Sequence, residues 1–287
     1  MTDADVSLPT APRKGGRNLP VAIAVGLALL VAVAVGLVWA HWFFVLLVTV
    51  ALCLCVVELH RALLLKGMHS SVVPVVVGTA ASVLGSWLIA RFHVGSPTGF
   101  GAAVIGATFI AALGWRLVGG AEGFLRDISA TAFIIAYIPM LGLFVSLLLI
   151  ETHGSLRFLA IILCVVASDT GAYATGSLIG RHKMAPHISP AKTWEGLAGG
   201  VVLTAVVGVA SAVWLLGTWW WVGAILGVLV SMAATVGDLV ESLIKRDAGI
   251  KDMSNFLPGH GGVMDRLDSM LLATPVGWII LHLALGN

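Results

Sequence analysis

The sequence predicts an all-α protein that crosses the membrane about nine times, with its N-terminus in the cytoplasm. Of its 287 residues 59% are hydrophobic and only 10% are charged, and the mean hydropathy is +1.03. The apolar residues also come in runs that approach the roughly 20 residues a helix needs to span a bilayer. A soluble domain would carry about 25% charged residues. The composition therefore predicts a polytopic integral membrane protein.

The first 18 residues are polar, with three basic residues and two prolines, and we predict a disordered cytoplasmic tail over residues 1–18. Basic residues before an apolar run are also typical of a signal peptide. However, the run from Leu19 to Val38 is longer than the apolar core of a signal peptide, and another apolar segment follows at once. A first membrane span is the better interpretation.

Eight more apolar segments follow, and the positive-inside rule tests their arrangement. We place these spans at 41–59, 71–90, 99–117, 128–150, 157–179, 196–216, 219–243 and 269–286. With a cytoplasmic N-terminus, fourteen of the sixteen Lys and Arg residues lie on the cytoplasmic side, and only Arg91 and Arg157 lie outside. This asymmetry supports the number of spans and their orientation in the inner, or plasma, membrane of a cell.

Ionisable residues are distributed unequally along the chain. Up to about residue 156 the spans contain almost none, with Glu58 near a helix end as an exception. We therefore predict a transmembrane scaffold over residues 19–156 and a transmembrane catalytic region over residues 157–287. No internal repeat is visible, so the inverted-repeat architecture of many transporters has no support here.

The most highly charged segment, residues 237–268, lies between two long apolar runs. Its first part continues an apolar helix, in which four polar residues recur at i, i+3, i+4 and i+7 and so share one face. These residues are Asp238, Glu241, Ser242 and Lys245. A carboxylate at membrane depth costs about 2.5–3.5 kcal/mol, which a partner, a metal or a water-filled cavity normally offsets. A salt bridge from Asp238 or Glu241 to Lys245 is the simplest alternative, but it leaves the other polar groups unexplained.

A glycine-rich turn, Leu-Pro-Gly-His-Gly-Gly at residues 257–262, follows this helix. Its backbone N–H groups can approach a ligand closely, as they do in phosphate-binding nests. The turn leads into Asp265, Arg266 and Asp268 at the predicted start of the last span. The helix macrodipole would explain Asp268 alone, but it does not explain Asp265 and Arg266 beside it.

A second polar block lies upstream of this region. Asp169 lies inside an apolar span, and the loop that follows contains Arg181, Lys183 and Lys192. Two prolines in that loop predict an ordered or extended conformation rather than a helix. Such a basic loop suits a polyanionic ligand on the cytoplasmic side, although an ordinary positive-inside loop would have the same composition.

The two polar blocks together resemble a known family. The strings SLIKR (242–246), KD (251–252) and LPGHGGVMDRLD (257–268) resemble the signature of the phosphatidate cytidylyltransferases, also called CDP-diacylglycerol synthases. SDTGAY and ISPAKTWEG resemble the second conserved block of that family. The N-terminal half is similar only as a hydrophobic scaffold. Many members have a basic residue where this chain has Ser177, so we expect no phosphate contact there.

The resemblance implies that CTP reacts with phosphatidic acid to give pyrophosphate and CDP-diacylglycerol, the activated precursor for phospholipid synthesis. The lipid phosphate is already an ionised nucleophile, so catalysis depends on neutralising charge and aligning an in-line attack. Paired carboxylates that hold Mg²⁺ fit this task, and the family resemblance suggests K⁺ as a second cation. The expected partners are CTP, phosphatidic acid and membrane lipid, without nucleic acid. Two G-x-x-x-G motifs, Gly176–Gly180 and Gly223–Gly227, permit close helix packing within one subunit or in a homodimer.

The resemblance and the residue types assign three sets of site residues. Catalytic roles are expected for Asp238, Lys245, Asp265, Arg266 and Asp268. Substrate-binding roles are expected for Asp169, Ser189, Lys192, Ser242, Arg246, Lys251, His260, Gly261 and Gly262. The metal is expected on Asp238, Glu241 and Asp265. The 26 residues between Asp238 and Asp265 include Pro258 and four glycines, so this connection can fold back and bring the two carboxylates together.

Three other functions compete with this assignment. An ion-coupled transporter also contains carboxylates within its spans, but here the charges cluster at one membrane face. A lipid-binding or assembly subunit would not need ten charged residues within residues 237–268. A CDP-alcohol phosphotransferase would show spaced aspartates after an Asp-Gly pair, and this pattern is not found.

Overall fold

The computed structural model of the chain describes residues 19–259 and 261–286. The predicted tail 1–18 and His260 lie outside the described residues. The first half forms six helices: α1 Leu19–Val38, α2 His41–Leu64, α3 Val72–Phe92, α4 Pro97–Leu117, α5 Phe124–Tyr137 and α6 Pro139–Leu149. The second half comprises α7 Gly154–Ile179, β1 Lys183–Ala185, β2 Ser189–Thr193, α8 Trp194–Ala210, a π-helical turn Ser211–Leu215, α9 Trp220–Ala248 and α10 Met264–Leu285.

Apolar helices of membrane-spanning length make up most of the fold. In the part of the chain that the structure describes, eight helical segments are long and apolar enough to cross a bilayer, with α5 and α6 forming one segment and α8 and its π-helical turn another. Helix α1 contributes a shorter apolar helix, Ile23–Val38. The predicted fold class, an all-α polytopic membrane protein, is therefore confirmed.

The structure departs from a set of uninterrupted helices in two places. The span predicted at 128–150 begins earlier, at Phe124, and divides at Ile138 because Pro139 has no N–H to donate to the preceding turn. The loop after α7 forms a short antiparallel hairpin in which Lys183 pairs with Thr193 and Ala185 with Ser189. This hairpin agrees with the extended conformation predicted for the loop.

Glycines allow the helices around α9 to approach closely. A side chain at Gly223 or Gly227 would collide with the backbone of α8 at Gly208 or Thr204. The Gly223–Gly227 motif is thus used for packing within the subunit. At the other end of α9, a side chain at Gly237 would collide with the backbone carbonyl of Asp268 in α10. This contact brings the polar residues of α9 and α10 together.

Two buried apolar clusters hold the helices in place, and both combine residues from the two halves of the chain. In the first cluster, Leu59 of α2 packs in the same core as Val263 and Met264 at the start of α10. Met253, in the loop between α9 and α10, is buried in this cluster as well. The glycine-rich loop is therefore anchored on a helix of the N-terminal half.

Candidate active site

The polar face predicted for α9 is present, and its two carboxylates, Asp238 and Glu241, form ion pairs with different lysines. Ser242 Oγ donates a 3.3 Å hydrogen bond to Asp238 Oδ1 one turn earlier. Lys245 Nζ lies 2.5 Å from Glu241 Oε2. The predicted alternative, a salt bridge to Lys245, therefore exists for Glu241. Asp238 instead pairs with a lysine of the hairpin.

The Lys192 cluster, defined as Asp169, Lys192, Asp238 and Asp268, joins α7, strand β2, α9 and α10. Lys192 Nζ lies 2.7 Å from Asp238 Oδ2, and the side chain of Asp238 is 35% exposed. Asp169 interacts electrostatically with Asp238 and Lys192, and Asp268 interacts with Asp238 and Asp169. Asp169 and Asp238 thus interact with the Lys192 ammonium group, and Asp268 adds a third carboxylate close to both of them. The cluster carries a formal excess of negative charge and remains open to solvent.

The Lys245 cluster, defined as Glu241, Lys245 and Asp265, is more enclosed. Lys245 Nζ lies 2.8 Å from Asp265 Oδ1, in addition to its contact with Glu241. Asp265 Oδ2 accepts hydrogen bonds from the backbone N–H groups of Gly262 at 2.7 Å and Met253 at 2.9 Å. Glu241 is 1% exposed, and its Oε1 has no hydrogen-bond partner among the described residues. Asp265 therefore ties the loop to the ends of α9 and α10.

The glycine-rich turn is stabilised by its own backbone. Leu257 and Gly261 exchange two hydrogen bonds, at 2.9 and 3.1 Å, across the tip. Gly259 and Gly261 have φ angles of 78° and 83°, in the left-handed region that favours glycine. His260, predicted to bind substrate, is outside the described residues. Gly262 turns its N–H towards Asp265, so this amide already has an intramolecular acceptor.

The remaining predicted substrate-binding residues lie at the same end of the molecule. Arg246 Nε donates a 3.3 Å hydrogen bond to the carbonyl of Ile188, which joins α9 to the hairpin next to Ser189. Arg246, Lys251 and Arg266 are exposed. The site thus consists of a carboxylate-rich centre with exposed cations nearby.

Asp238 and Asp265, which were predicted to converge on one metal, contact different lysines. Each carboxylate has its own lysine partner, Lys192 or Lys245. Within residues 19–259 and 261–286, no group of three or more His, Cys, Asp or Glu side chains is placed to hold a metal ion. The assignment of the metal to Asp238, Glu241 and Asp265 stays a prediction.

Two residues of the N-terminal half lie at the site, although the sequence did not assign them to it. Glu58 of α2 is 4% exposed and accepts hydrogen bonds from the backbone of Val263 and Met264. Tyr137, at the end of α5, is 6% exposed and interacts electrostatically with Asp268 and Glu241. An isolated acid in an apolar span was a usable signal for Glu58, because such a group needs partners. No sequence pattern indicated a role for Tyr137.

Comparison with known proteins identifies the family of this chain. Residues 20–284 match the model of the cytidylyltransferase family. A phosphatidate cytidylyltransferase of Mycobacterium leprae is 39% identical over 96% of this chain and 91% of its own length. Its counterpart in Mycobacterium tuberculosis is 40% identical over 96% of this chain and 85% of its own length. That of Haemophilus influenzae is 41% identical over 43% of this chain and 44% of its own length. The family predicted from the motifs is confirmed, and the chain belongs to the cytidylyltransferase family.

Proposed function

We propose that the protein transfers the cytidylyl group of CTP to phosphatidic acid, giving CDP-diacylglycerol and pyrophosphate. The observation that carries this function is the similarity to phosphatidate cytidylyltransferases over 96% of the chain. The structure adds a suitable place for the reaction, because two lysine–carboxylate clusters lie at one end of apolar helices. A water-soluble nucleotide and a lipid phosphate can meet at such a position.

In the proposed reaction, an oxygen of the lipid phosphate attacks the α-phosphorus of CTP. A new P–O bond forms as the bond between the α-phosphorus and the bridging oxygen to the β-phosphorus breaks, and pyrophosphate leaves with that electron pair. The nucleophile is already ionised, so the protein needs no strong general base. The work of the site is to bring together two polyanions and to hold them in line.

We propose Mg²⁺ as the cofactor, held by Asp238 and Asp265 with Glu241 beside them. The chemistry of the three residues suits the metal, since all offer carboxylate oxygens, the ligands that Mg²⁺ prefers together with water and substrate phosphates. In the described structure, however, Asp238 and Asp265 are each paired with a different lysine, so metal binding requires these pairs to open. The buried Glu241 Oε1 without a partner among the described residues is an oxygen that a cation or its water can contact. Mg²⁺ would neutralise charge on the phosphates. K⁺ is our candidate for a second cation at the remaining oxygens.

The lysines have two roles in this proposal. Without substrate, Lys192 and Lys245 neutralise the carboxylates of Asp238 and Asp265. When a nucleotide with its metal is bound, the flexible ammonium groups can turn towards the phosphates. Substrate binding is completed by Asp169, Ser189, Ser242, Arg246, Lys251 and the glycine-rich turn, His260 to Gly262. Arg266 and Asp268 keep the catalytic roles proposed for them.

We further propose nine spans, with the N-terminus and the active site in the cytoplasm and the C-terminus outside. Eight membrane-compatible helices together with the apolar helix α1 support this number, and the distribution of Lys and Arg supports the orientation. Reporter fusions after Asn287 and within residues 181–195 test it. Residues 181–195 on the outer face would contradict both the topology and the CTP site.

We place the enzyme in the cell's inner, or plasma, membrane. A homodimer is a separate proposal, which chemical cross-linking in detergent can test. The Gly223–Gly227 motif gives it no support, because it packs against Gly208 of the same subunit.

The direct test uses purified protein, CTP labelled at the α-phosphate, phosphatidic acid and Mg²⁺. We expect label to move into the lipid phase as CDP-diacylglycerol, together with stoichiometric release of pyrophosphate. Diacylglycerol in place of phosphatidic acid is the matched control, because it lacks the nucleophilic phosphate. Failure of the label to enter lipid in the presence of both substrates would contradict the proposed function.

A further inference from the structure

Glu58 contacts the glycine-rich loop and the start of α10, the helix of Asp265 and Asp268, although it belongs to α2 in the N-terminal half. Its Oε1 accepts hydrogen bonds from Ser254 Oγ at 2.5 Å and from the backbone N–H of Val263 at 3.0 Å. Its Oε2 accepts a 2.8 Å hydrogen bond from the backbone N–H of Met264. Both carboxylate oxygens therefore have partners, and the hydrogen bonds found among the described residues all come from residues 254 to 264.

These contacts replace a local cap at the start of α10. The first N–H groups of a helix have no partner inside the helix, and a nearby side chain normally accepts from them. Val263, the residue that precedes α10, makes no such side-chain hydrogen bond in the described structure. The Glu58 carboxylate meets this need from 205 residues away in the sequence. It also places negative charge at the positive end of the helix macrodipole.

Gly262 lies between Glu58 and Asp265 and allows both carboxylates to approach the loop. A Cβ atom at this position would lie 2.9 Å from both carboxylate oxygens of Glu58 and 3.0 Å from Asp265 Oδ2. Glu58 therefore binds the chain on one side of Gly262, and Asp265 accepts its N–H on the other. Movement of Glu58 would change the position of the loop and the direction of Asp265.

We infer that Glu58 is a positioning residue of the cytidylyltransferase site. This inference rests on the proposed function. Glu58 does not contact the reacting groups; it acts through Gly262 and the first turn of α10, which set Asp265 against Lys245 and Asp268 beside Asp238. The N-terminal half thereby contributes directly to the geometry of the metal and phosphate site.

A second buried glutamate provides a matched control. Glu151 holds the opposite end of α10, where it pairs with Arg157 and lies 2.8 Å from His282 Nδ1. Arg157 in turn donates a 2.8 Å hydrogen bond to the carbonyl of Gly286. The 22 residues of α10 span about 33 Å at 1.5 Å per residue. Glu151→Gln and Glu58→Gln thus each disturb a buried acid that contacts α10, but only Glu58 contacts the end of α10 that lies at the site.

The test compares kcat, the Mg²⁺ concentration for half-maximal rate and thermal stability in both variants. In Glu58→Gln the amide nitrogen cannot accept from a backbone N–H. We expect kcat to fall about tenfold or more, which a change of roughly 1.4 kcal/mol would produce, and the half-maximal Mg²⁺ concentration to rise severalfold. Glu151→Gln is expected to lose stability with little change in either kinetic parameter. Equal kinetic effects in the two variants would overturn the inference.

Two further measurements keep the inference testable if Glu58→Gln folds poorly or if wild-type protein shows no transfer. Ser254→Ala removes one donor to Glu58 and should shift the Mg²⁺ dependence in the same direction by a smaller factor. Hydrogen–deuterium exchange does not depend on activity, and we expect faster exchange over residues 252–266 in Glu58→Gln than in Glu151→Gln. Unchanged exchange there would overturn the positioning role, whereas absent transfer in wild-type protein would contradict only the proposed function.

Discussion

The two lysine–carboxylate clusters use the same residue types but differ in accessibility. In the Lys245 cluster the side chains of Glu241, Lys245 and Asp265 are 1%, 15% and 5% exposed, and both oxygens of Asp265 have partners. In the Lys192 cluster the side chains of Lys192 and Asp238 are 20% and 35% exposed. The enclosed cluster fixes the loop to the helices, whereas the open cluster has a carboxylate that a ligand can reach.

This difference indicates how one site can be both rigid and able to bind. Breaking a buried ion pair leaves an uncompensated charge and is strongly destabilising, so the Lys245 cluster should matter for stability as well as for activity. The pair between Lys192 and Asp238 is more exposed, so solvent screens it more and its loss should cost less stability than loss of the Lys245 pairs. The Lys192 cluster should therefore matter mainly for activity.

The largest expected effect is that of Asp238→Asn. This change preserves size and hydrogen bonding but removes the charge proposed to hold Mg²⁺. We expect turnover to fall by at least a few hundredfold, which corresponds to about 3–4 kcal/mol of lost transition-state stabilisation. The melting temperature should change little. A normal rate of label transfer from CTP to lipid in this variant would show that Asp238 does not hold the metal.

Asp265→Asn should cause a comparable loss of activity, but with a loss of stability as well. The amide can keep only part of the contacts to Lys245, Met253 and Gly262, and an imperfectly satisfied buried group costs about 1–3 kcal/mol. Denaturation in detergent, measured beside Asp238→Asn, compares the two clusters directly. Equal stability of the two variants would contradict the distinction between them.

Arg266→Lys should have an intermediate effect. Arginine can bind a phosphate through two parallel hydrogen bonds, and lysine cannot reproduce this geometry. We expect activity to fall about tenfold while the protein still inserts and folds, a loss of roughly 1.4 kcal/mol. Arg61→Lys, an exposed basic residue at the end of α2, is the control and should retain its activity. Full activity of Arg266→Lys would show that Arg266 contributes only positive charge on the cytoplasmic side, which orients the protein in the membrane.

The smallest effect is expected for Lys66→Met. Lys66 Nζ lies 3.1 Å from Asp247 Oδ1, and the two side chains are 39% and 70% exposed. Such exposed pairs contribute about 0.2–1 kcal/mol, so both stability and activity should remain close to those of the wild type. A large loss of activity would show that the end of α2 takes part in the reaction, in a way that neither cluster explains.

Much of the fold could be predicted because hydropathy reports membrane spans directly. The segments from 41–59 to 269–286 correspond to helices, and the shared face of Asp238, Glu241 and Lys245 followed from helical periodicity. The family signature in residues 242–268 led to the correct family, the cytidylyltransferases.

The partners of these residues could not be predicted in the same way. The pair between Lys192 and Asp238 depends on how the β1–β2 hairpin folds against α9, and the cap that Glu58 gives α10 joins positions 205 residues apart. Helical periodicity relates only residues within a few turns of each other. The prediction that Asp238 and Asp265 share a metal relied on the flexibility of their connection, which permits many arrangements.

The most direct test of the account measures label transfer from CTP to phosphatidic acid against Mg²⁺ concentration. Wild-type protein, Asp238→Asn and Asp265→Asn are compared, with thermal stability measured in parallel. We predict saturable activation by Mg²⁺ for the wild type, and for Asp238→Asn a folded protein whose transfer is almost abolished at every Mg²⁺ concentration. If both variants stay folded and transfer label at the wild-type rate under limiting Mg²⁺, neither carboxylate holds the metal, and the site would have to be sought around Asp169.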